Sequence, residues 1–191
     1  MNKILVPTDF SEHSGWALEY ASFLAGRADT ELYILHIVRN PNYLESAKEK
    51  LDEILANEYL ADMKASLVLE EGNNVGKTIN KVAKKIDVDL IVMGSNGASN
   101  VEEIILGSNT ENVIIKTQFD VLTIKHQLKS PELNTILFPS DFKPEAYGIF
   151  DSVLSFAREF NAEIHMVYVG EEKDKINSKI ESFVLSLIHI S

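Results

Sequence analysis

A run of glycines near the middle of the chain has the spacing of a phosphate-binding loop. In the stretch GSNGASNVEEIILGSN, two residues separate Gly94 from Gly97, nine more separate Gly97 from Gly107, and Ser108 follows directly. Glycine lets a backbone approach a ligand closely, because it has no Cβ to hold the ligand away. The spacing therefore predicts that this segment wraps around an anionic group such as a phosphate.

The residues after the last glycine predict the start of a helix. Backbone N–H groups in the first turn of a helix have no acceptor within the helix, so those of Ser108, Asn109 and Thr110 would form an anion site. The hydroxyls of Ser108 and Thr110 could add donors to phosphate oxygens. A structural role is the alternative, because Ser108 followed by Glu111 is also a capping box.

A second glycine motif, EEGNNVGKTI, is close to the Walker A signature but has the wrong spacing. That loop needs four residues between its first glycine and the Gly-Lys pair, and only three follow Gly72 here. The stretch instead predicts a turn that leads into a helix over residues 74–86, with Asn73 or Asn74 as its N-cap. Lys77 is then expected to face solvent.

Short apolar runs alternate with amphipathic stretches along the first two thirds of the chain. The predicted strands are residues 3–7, 31–38, 65–71, 89–94 and 120–126. The predicted helices are residues 12–28, 44–63, 74–86 and 108–117. This alternation predicts an α/β fold, an open twisted parallel five-stranded sheet with helices on both faces, which is Rossmann-like. Ligands of such sheets bind at the carboxyl ends of the strands.

An internal repeat indicates a second unit. ILFPSDF at residues 136–142 restates ILVPTDF at residues 4–10, and the strand and helix patterns that follow are repeated as well. We expect one complete domain over residues 1–127, a linker over residues 128–133, and an incomplete second domain over residues 134–191. The second domain would hold the first two strands and helices of the unit, and we expect its last few residues to be non-native.

The composition is that of a globular protein without disulfides. Of the 191 residues, 45% are apolar and 25% are charged, and none is a cysteine. The net charge of −11 argues against a nucleic-acid-binding protein, which usually has a basic face. No apolar run approaches the roughly 18 residues of a membrane helix. We therefore expect a cytoplasmic protein that contacts neither nucleic acid nor membrane.

Three separated segments together resemble the universal stress protein family. They are ILVPTDFSEHSGWAL near the start, LHIV near the end of the second strand, and the glycine pattern that begins at Gly94. The resemblance covers residues 3–126 as a complete unit and residues 134–169 as the start of another. The chain therefore resembles a tandem member whose second unit is truncated, and the resemblance implies an adenine nucleotide alpha hydrolase-like fold.

The ATP-binding branch of this family uses the glycine pattern to hold ribose and phosphates, so the resemblance implies ATP as the ligand. Asp9 would accept ribose hydroxyls or help to hold a Mg²⁺ bound mainly by the phosphates, and the backbone of Ile37 would read the adenine edge. Asp9 or Ser11 could also simply cap the helix that follows. The site residues carried over are Pro7, Thr8, Asp9, Ile37, Met93, Gly94, Gly97, Gly107, Ser108, Asn109 and Thr110.

Two positions depart from the family pattern. Asn109 stands where a small apolar residue is usual, which affects local packing, and Asp120 stands where a proline usually precedes the fifth strand. The second copy keeps Pro139, Ser140 and Asp141 but ends before any glycine loop. We therefore expect a nucleotide site in the first copy alone.

Three functions are compatible with these features. The first is an ATP-binding stress-response regulator with little or no catalysis, at most slow ATP hydrolysis. The second is an enzyme of a related adenine-nucleotide fold, a weak ATPase or an adenylyl transferase, although the loops typical of adenylating enzymes are absent from the sequence. The third is a nucleotide-free dimerisation module. We expect a homodimer in each case, formed through the edge strand at residues 120–126 or through the open sheet of the second copy.

Overall fold

The computed structural model describes residues 1–95, 108–128, 132–143 and 145–169, together with residues 177, 178, 180, 181 and 183. The chain divides into two compact units, Met1–Pro131 and Glu132–Ser191. Within the described ranges, no helix has the length and apolarity needed to cross a membrane. The predicted domain limits at residues 127 and 134 stay predictions.

The first unit contains a five-stranded parallel sheet, which confirms the predicted fold class. Its order is β3-β2-β1-β4-β5. β2 and β3 therefore lie on one side of β1, and β4 and β5 lie on the other. The strands are β1 Lys3–Thr8, β2 Glu31–Val38, β3 Ala65–Glu71, β4 Leu90–Gly94 and β5 Asp120–Ile124.

In the described part of the first unit, four helices cover the two faces of this sheet. They are α1 Glu12–Ala28, α2 Leu44–Leu55, α3 Val75–Ile86 and α4 Ser108–Lys116. Because parallel crossovers are right-handed, the reversal of strand order puts α1 and α2 on one face and α3 and α4 on the other. The α3/α4 face is packed around Leu5 and Leu35 from the sheet, Ile79 and Val82 from α3, and Val113 from α4.

The predicted helix over residues 44–63 is wrong at its carboxyl end. α2 ends at Leu55, and a short 3-10 turn, Glu58–Leu60, follows. The break lies at Asn57, whose backbone is extended and whose side-chain amide donates to the carbonyl oxygen of Ile54 at 3.0 Å. Leu60 then packs into the core at 2% exposure. Local amide capping, together with an apolar anchor, ends the helix where its composition would have allowed it to continue.

The second unit contains a shorter version of the same pattern. It consists of β6 Thr135–Ser140, α5 Ala146–Phe160 and β7 Glu163–Tyr168, and the two strands pair in parallel. Its described core is aromatic, with Phe138, Phe142, Phe150 and Phe183 all buried. The predicted second helix of this unit lies largely outside the described residues.

The two units make the same turn at the end of their first strand. The hydroxyl of Thr8 accepts a hydrogen bond from the Phe10 amide at 3.1 Å, and the hydroxyl of Ser140 accepts one from the Phe142 amide at 3.0 Å. Both phenylalanines have positive φ angles, 64° and 55°. Since a bulky residue rarely adopts this conformation, the repeated strain indicates that the repeated sequence specifies the turn.

Candidate functional site

The strand order reverses between β1 and β4, which are neighbours in the sheet. Their pairing includes Leu5 with Ile91 and goes no further among the described residues, although β1 runs on to Thr8 and β4 to Gly94. Pro7 lies in this last part of β1 and has no N–H to offer a neighbouring strand. The strands therefore part at the position where open α/β sheets bind their ligands.

A closed set of hydrogen bonds fixes the turn between β1 and α1. The Ser14 hydroxyl donates to the carbonyl oxygen of Ser11 at 2.8 Å, so the contact of 3.0 Å between the Thr8 and Ser14 hydroxyls has Thr8 as its donor. Ser11 is the N-cap of α1 and accepts from the Ser14 amide. Thr8 and Ser14 are both buried, so this network holds the turn rigidly beside the crevice.

Asp9 projects from this turn with part of its carboxylate available. Its Oδ1 accepts from the Ser11 amide at 3.0 Å, and the side chain is exposed. Burial acts to raise the pKa of Asp9, but hydrogen bonds, chiefly from the side chain and amide of Ser11, outweigh it and hold the pKa below its ordinary value. Asp9 is therefore an ionised acceptor at neutral pH. It stabilises the turn, whereas Ser11 caps the helix.

The end of β2 extends past the end of β1. The last pair between them is Thr8 with His36, whereas β2 continues beside β3 as far as Val38. The ring of His36 is fixed here, because its Nδ1 lies 2.8 Å from the Thr8 carbonyl oxygen and must be the donor. The backbone at Ile37 thus lies beyond the neighbouring strand, where a flat ligand could pair with it.

Gly94 has a packing role that the sequence did not show. A Cβ at this position would collide with the backbone carbonyl of His13 and would lie 2.7 Å from the Ser14 amide nitrogen. The first turn of α1 therefore lies directly against the end of β4. The close approach that glycine allows here is made by the protein's own backbone, and a ligand contact at Gly94 stays a prediction.

The other predicted residues near β4 are placed as follows. The Met93 side chain is 5% exposed and belongs to the core on the α3/α4 face. Thr110 is buried, and its hydroxyl donates to the Gly94 carbonyl oxygen at 3.3 Å, which ties the first turn of α4 to β4. Asn109 is exposed at the start of α4, which begins at Ser108 as predicted. Gly97 and Gly107 lie outside the described residues.

Sequence reasoning missed Ser95, which follows β4 directly. Its side chain is fully buried, and its Oγ has no hydrogen-bond partner among the described residues. An unpaired buried hydroxyl costs about 1–3 kcal/mol. Ser95 therefore places a hydroxyl that is unpaired among the described residues at the start of the glycine segment. A serine between two glycines gives no sequence signal for such burial.

The near-Walker stretch forms the start of α3. Asn74 is the N-cap of α3, and its side-chain oxygen accepts from the Lys77 amide at 3.0 Å. Gly76 is buried against Asn112 of α4, and Lys77 is exposed. These observations confirm the predicted turn with Asn74 as its cap.

Comparison with known proteins gives the family. The model of the universal stress protein family matches residues 1–125. The chain belongs to this family. A universal stress protein of Methanocaldococcus jannaschii is 30% identical over 154 aligned residues, which covers 65% of this chain and 95% of that protein.

Solved structures agree with this assignment. A universal stress protein from Archaeoglobus fulgidus superimposes with a TM-score of 0.77 at 26% identity, over 97% of this chain and 74% of that one. Another family member, solved in complex with cAMP, has a TM-score of 0.53 at 22% identity, over 65% of this chain and 96% of that one. At this identity, the second likeness shows the fold alone.

Proposed function

We propose that the first unit binds ATP where the carboxyl ends of β1 and β4 part, and that the protein is a nucleotide-dependent stress-response regulator with little or no catalysis. The observation that supports this most is the position of Asp9. An ionised carboxylate, fixed by the Ser11 amide, lies at the strand-order reversal, next to the strand end from which the glycine pattern begins. Dinucleotide-binding sheets also use a carboxylate to bind a ribose hydroxyl, although theirs follows the glycine turn by about 20 residues.

The adenine is assigned to the end of β2. The backbone at Ile37 extends past β1, so its polar groups can pair with the edge of a base. Ile37 packs with the core on the α3/α4 face, as do Leu35 and Met93. An apolar surface beside backbone donors and acceptors suits a purine ring, because ligand sites combine apolar walls with a few polar groups.

The phosphates are assigned to the glycine pattern and the start of α4. Helix α4 begins at Ser108, and its first turn is anchored to β4 through Thr110. The backbone N–H groups of this first turn are therefore held in place. A helix start of this kind favours anions. Mg²⁺, if bound, would be held mainly by the phosphates, with Asp9 as an additional oxygen ligand.

We also propose that the second unit is a partial copy of the first. The repeated turn supports this, as does the strand register, in which Thr135 pairs with Glu163 just as Lys3 pairs with Glu31. The likeness to the Archaeoglobus fulgidus structure extends over 97% of the chain, well beyond the residues that match the family model. Homodimers would form through β5, which lies at the edge of the first sheet.

Asp9→Asn is expected to weaken ATP binding by roughly tenfold, since a hydrogen bond to a charged group contributes about 1.5–3 kcal/mol. Asparagine can still accept the Ser11 amide through its oxygen, so the turn itself should be kept. Isothermal titration of ATP into the wild-type protein and the variant measures the effect.

Asp141→Asn is the matched control, because Asp141 accepts from the Lys143 amide in the equivalent turn of the second unit. Its ATP affinity should equal that of the wild-type protein. If the wild-type protein and Asp9→Asn bind ATP equally well, Asp9 does not contact the nucleotide. If the wild-type protein does not bind ATP, the proposed function is refuted.

A further inference from the structure

A cavity of about 350 Å³ lies at the end of β2 on the α2 side of the sheet. Its walls come from the turn after β1, the segment after β2, and α2. Phe10 and His36 contribute their rings, whose centroids are 4.2 Å apart, and the buried Ala47 of α2 forms part of the wall. The size falls within the range of about 300–1,000 Å³ that is usual for small-molecule sites.

Most of this cavity lies on the face of the sheet that α2 covers, whereas the proposed nucleotide crevice lies at the carboxyl edge of the strands. Successive side chains of a strand point to opposite faces. Ile37 packs with Leu35 in the core under α3, so His36 and Val38 point to the face that α2 covers. The cavity includes His36, Val38 and part of α2, and it also includes Ile37, to which the adenine is assigned. Gly94 and Met93 do not line it.

The charge of the cavity is opposite to that of the chain. The sequence has 29 acidic residues against 18 basic ones, yet no carboxylate is among the residues that line the cavity, and Arg39 and Lys50 both are. Neither cation has an ion pair with any residue in the described part of the chain. The Lys50 ammonium lies 5.2 Å from the centre of the Phe10 ring, which fixes it over an apolar surface.

Asn40 and Tyr43 can add donors beside the two cations. The side-chain oxygen of Asn40 already accepts from the Asn42 amide at 3.0 Å, which leaves the NH₂ group of Asn40 for a ligand. Tyr43 is 65% exposed at the rim, with its hydroxyl open to the cavity mouth or to solvent. Guanidinium, ammonium and amide donors next to an aromatic wall suit a ligand with an oxyanion at one end and an apolar body at the other.

We propose that this cavity is a second ligand site, for a small organic anion whose phosphate or carboxylate group binds Arg39 and Lys50. The apolar part of the ligand lies against Phe10 and Ala47. The site shares the turn after β1 and Ile37 with the proposed nucleotide site, but it does not depend on nucleotide being bound.

The test uses the full chain without nucleotide and three probes: phenyl phosphate, benzoate, and benzyl alcohol as the neutral probe. We expect calorimetric binding of at least one anion and none of the alcohol. The stronger of the two anions identifies the preferred head group. Lys50→Gln and Arg39→Gln should each weaken anion binding by roughly tenfold. Lys48→Gln, which removes the same charge from an exposed position on α2, should change it less than twofold.

Three outcomes would overturn the proposal. Failure of both anions to bind, or equal weakening by Lys48→Gln, would show that the cavity is not a specific site. ATP is titrated into the same variants, and its affinity should not change. Loss of ATP affinity in Lys50→Gln would make the cavity part of the nucleotide site. ATP binding without anion binding refutes this inference alone, so its failure is distinguishable from that of the proposed function.

Discussion

Gly94→Ala is expected to lower the free energy of unfolding by about 2–3 kcal/mol, because overpacking a close contact costs about 1–3 kcal/mol and backbone can yield little. The added Cβ would meet the carbonyl group of His13 and the amide of Ser14, both in the first turn of α1. That turn cannot move without breaking the hydrogen bonds between Ser14, Ser11 and Thr8. Urea unfolding followed by circular dichroism measures the change in midpoint.

Gly15→Ala is the matched control, because it makes the same substitution in the next residue of α1. A Cβ at Gly15 would have no atom within 4 Å, and the position is exposed. Alanine there should stabilise the chain by roughly 0.5–1 kcal/mol, since glycine inside a helix is unfavourable. A Gly94→Ala variant as stable as the wild-type protein would show that α1 does not lie against β4 as described.

Gly97→Val is expected to weaken ATP binding by about 100-fold or more, equivalent to at least about 2.8 kcal/mol. The reason comes from the sequence pattern, in which Gly97 lets the backbone approach the ligand, and a branched side chain would fill that space. Titration calorimetry with ATP measures the loss. The unfolding midpoint of the variant, measured in parallel, shows whether the fold is kept.

Lys77→Ala is the comparison variant for this prediction. Lys77 belongs to the near-Walker stretch, but its side chain is exposed at the start of α3, one strand away from the glycine pattern. ATP affinity should stay within about twofold of wild type, a change below about 0.5 kcal/mol. The opposite ranking, with Lys77→Ala defective and Gly97→Val normal, would show that the phosphates bind at the near-Walker stretch instead.

The fold was largely predictable because its signals are local. Buried parallel strands require continuous apolar runs, and ELYILHIV and ASLVLEE give the bounds of β2 and β3 directly. The amphipathic period of α3 and its Asn74 cap were also readable. The carboxyl end of α2 was not readable from the sequence. It depends on the Asn57 side-chain amide and on the burial of Leu60, and that burial is a tertiary effect.

The site was predictable only in part, because side-chain roles there depend on contacts between distant segments. The glycine at position 94 is required by the approach of α1, which no spacing rule contains. The hydroxyl of Thr110 donates to β4, although the sequence suggested a ligand donor. The cavity beside Arg39 and Lys50 joins residues from three segments that have no motif in common. Such sites become visible only when the chain is folded.

The most direct test of the central claim is an amide chemical-shift titration of the full, isotope-labelled chain with ATP. We expect saturable shifts at Asp9, Ile37 and Gly94, at the carboxyl ends of β1, β2 and β4, and at Ser108, where α4 begins. The strands of the second unit should not respond. An absence of shifts at millimolar ATP, or shifts confined to the second unit, would contradict the claim that the first unit binds nucleotide at this edge.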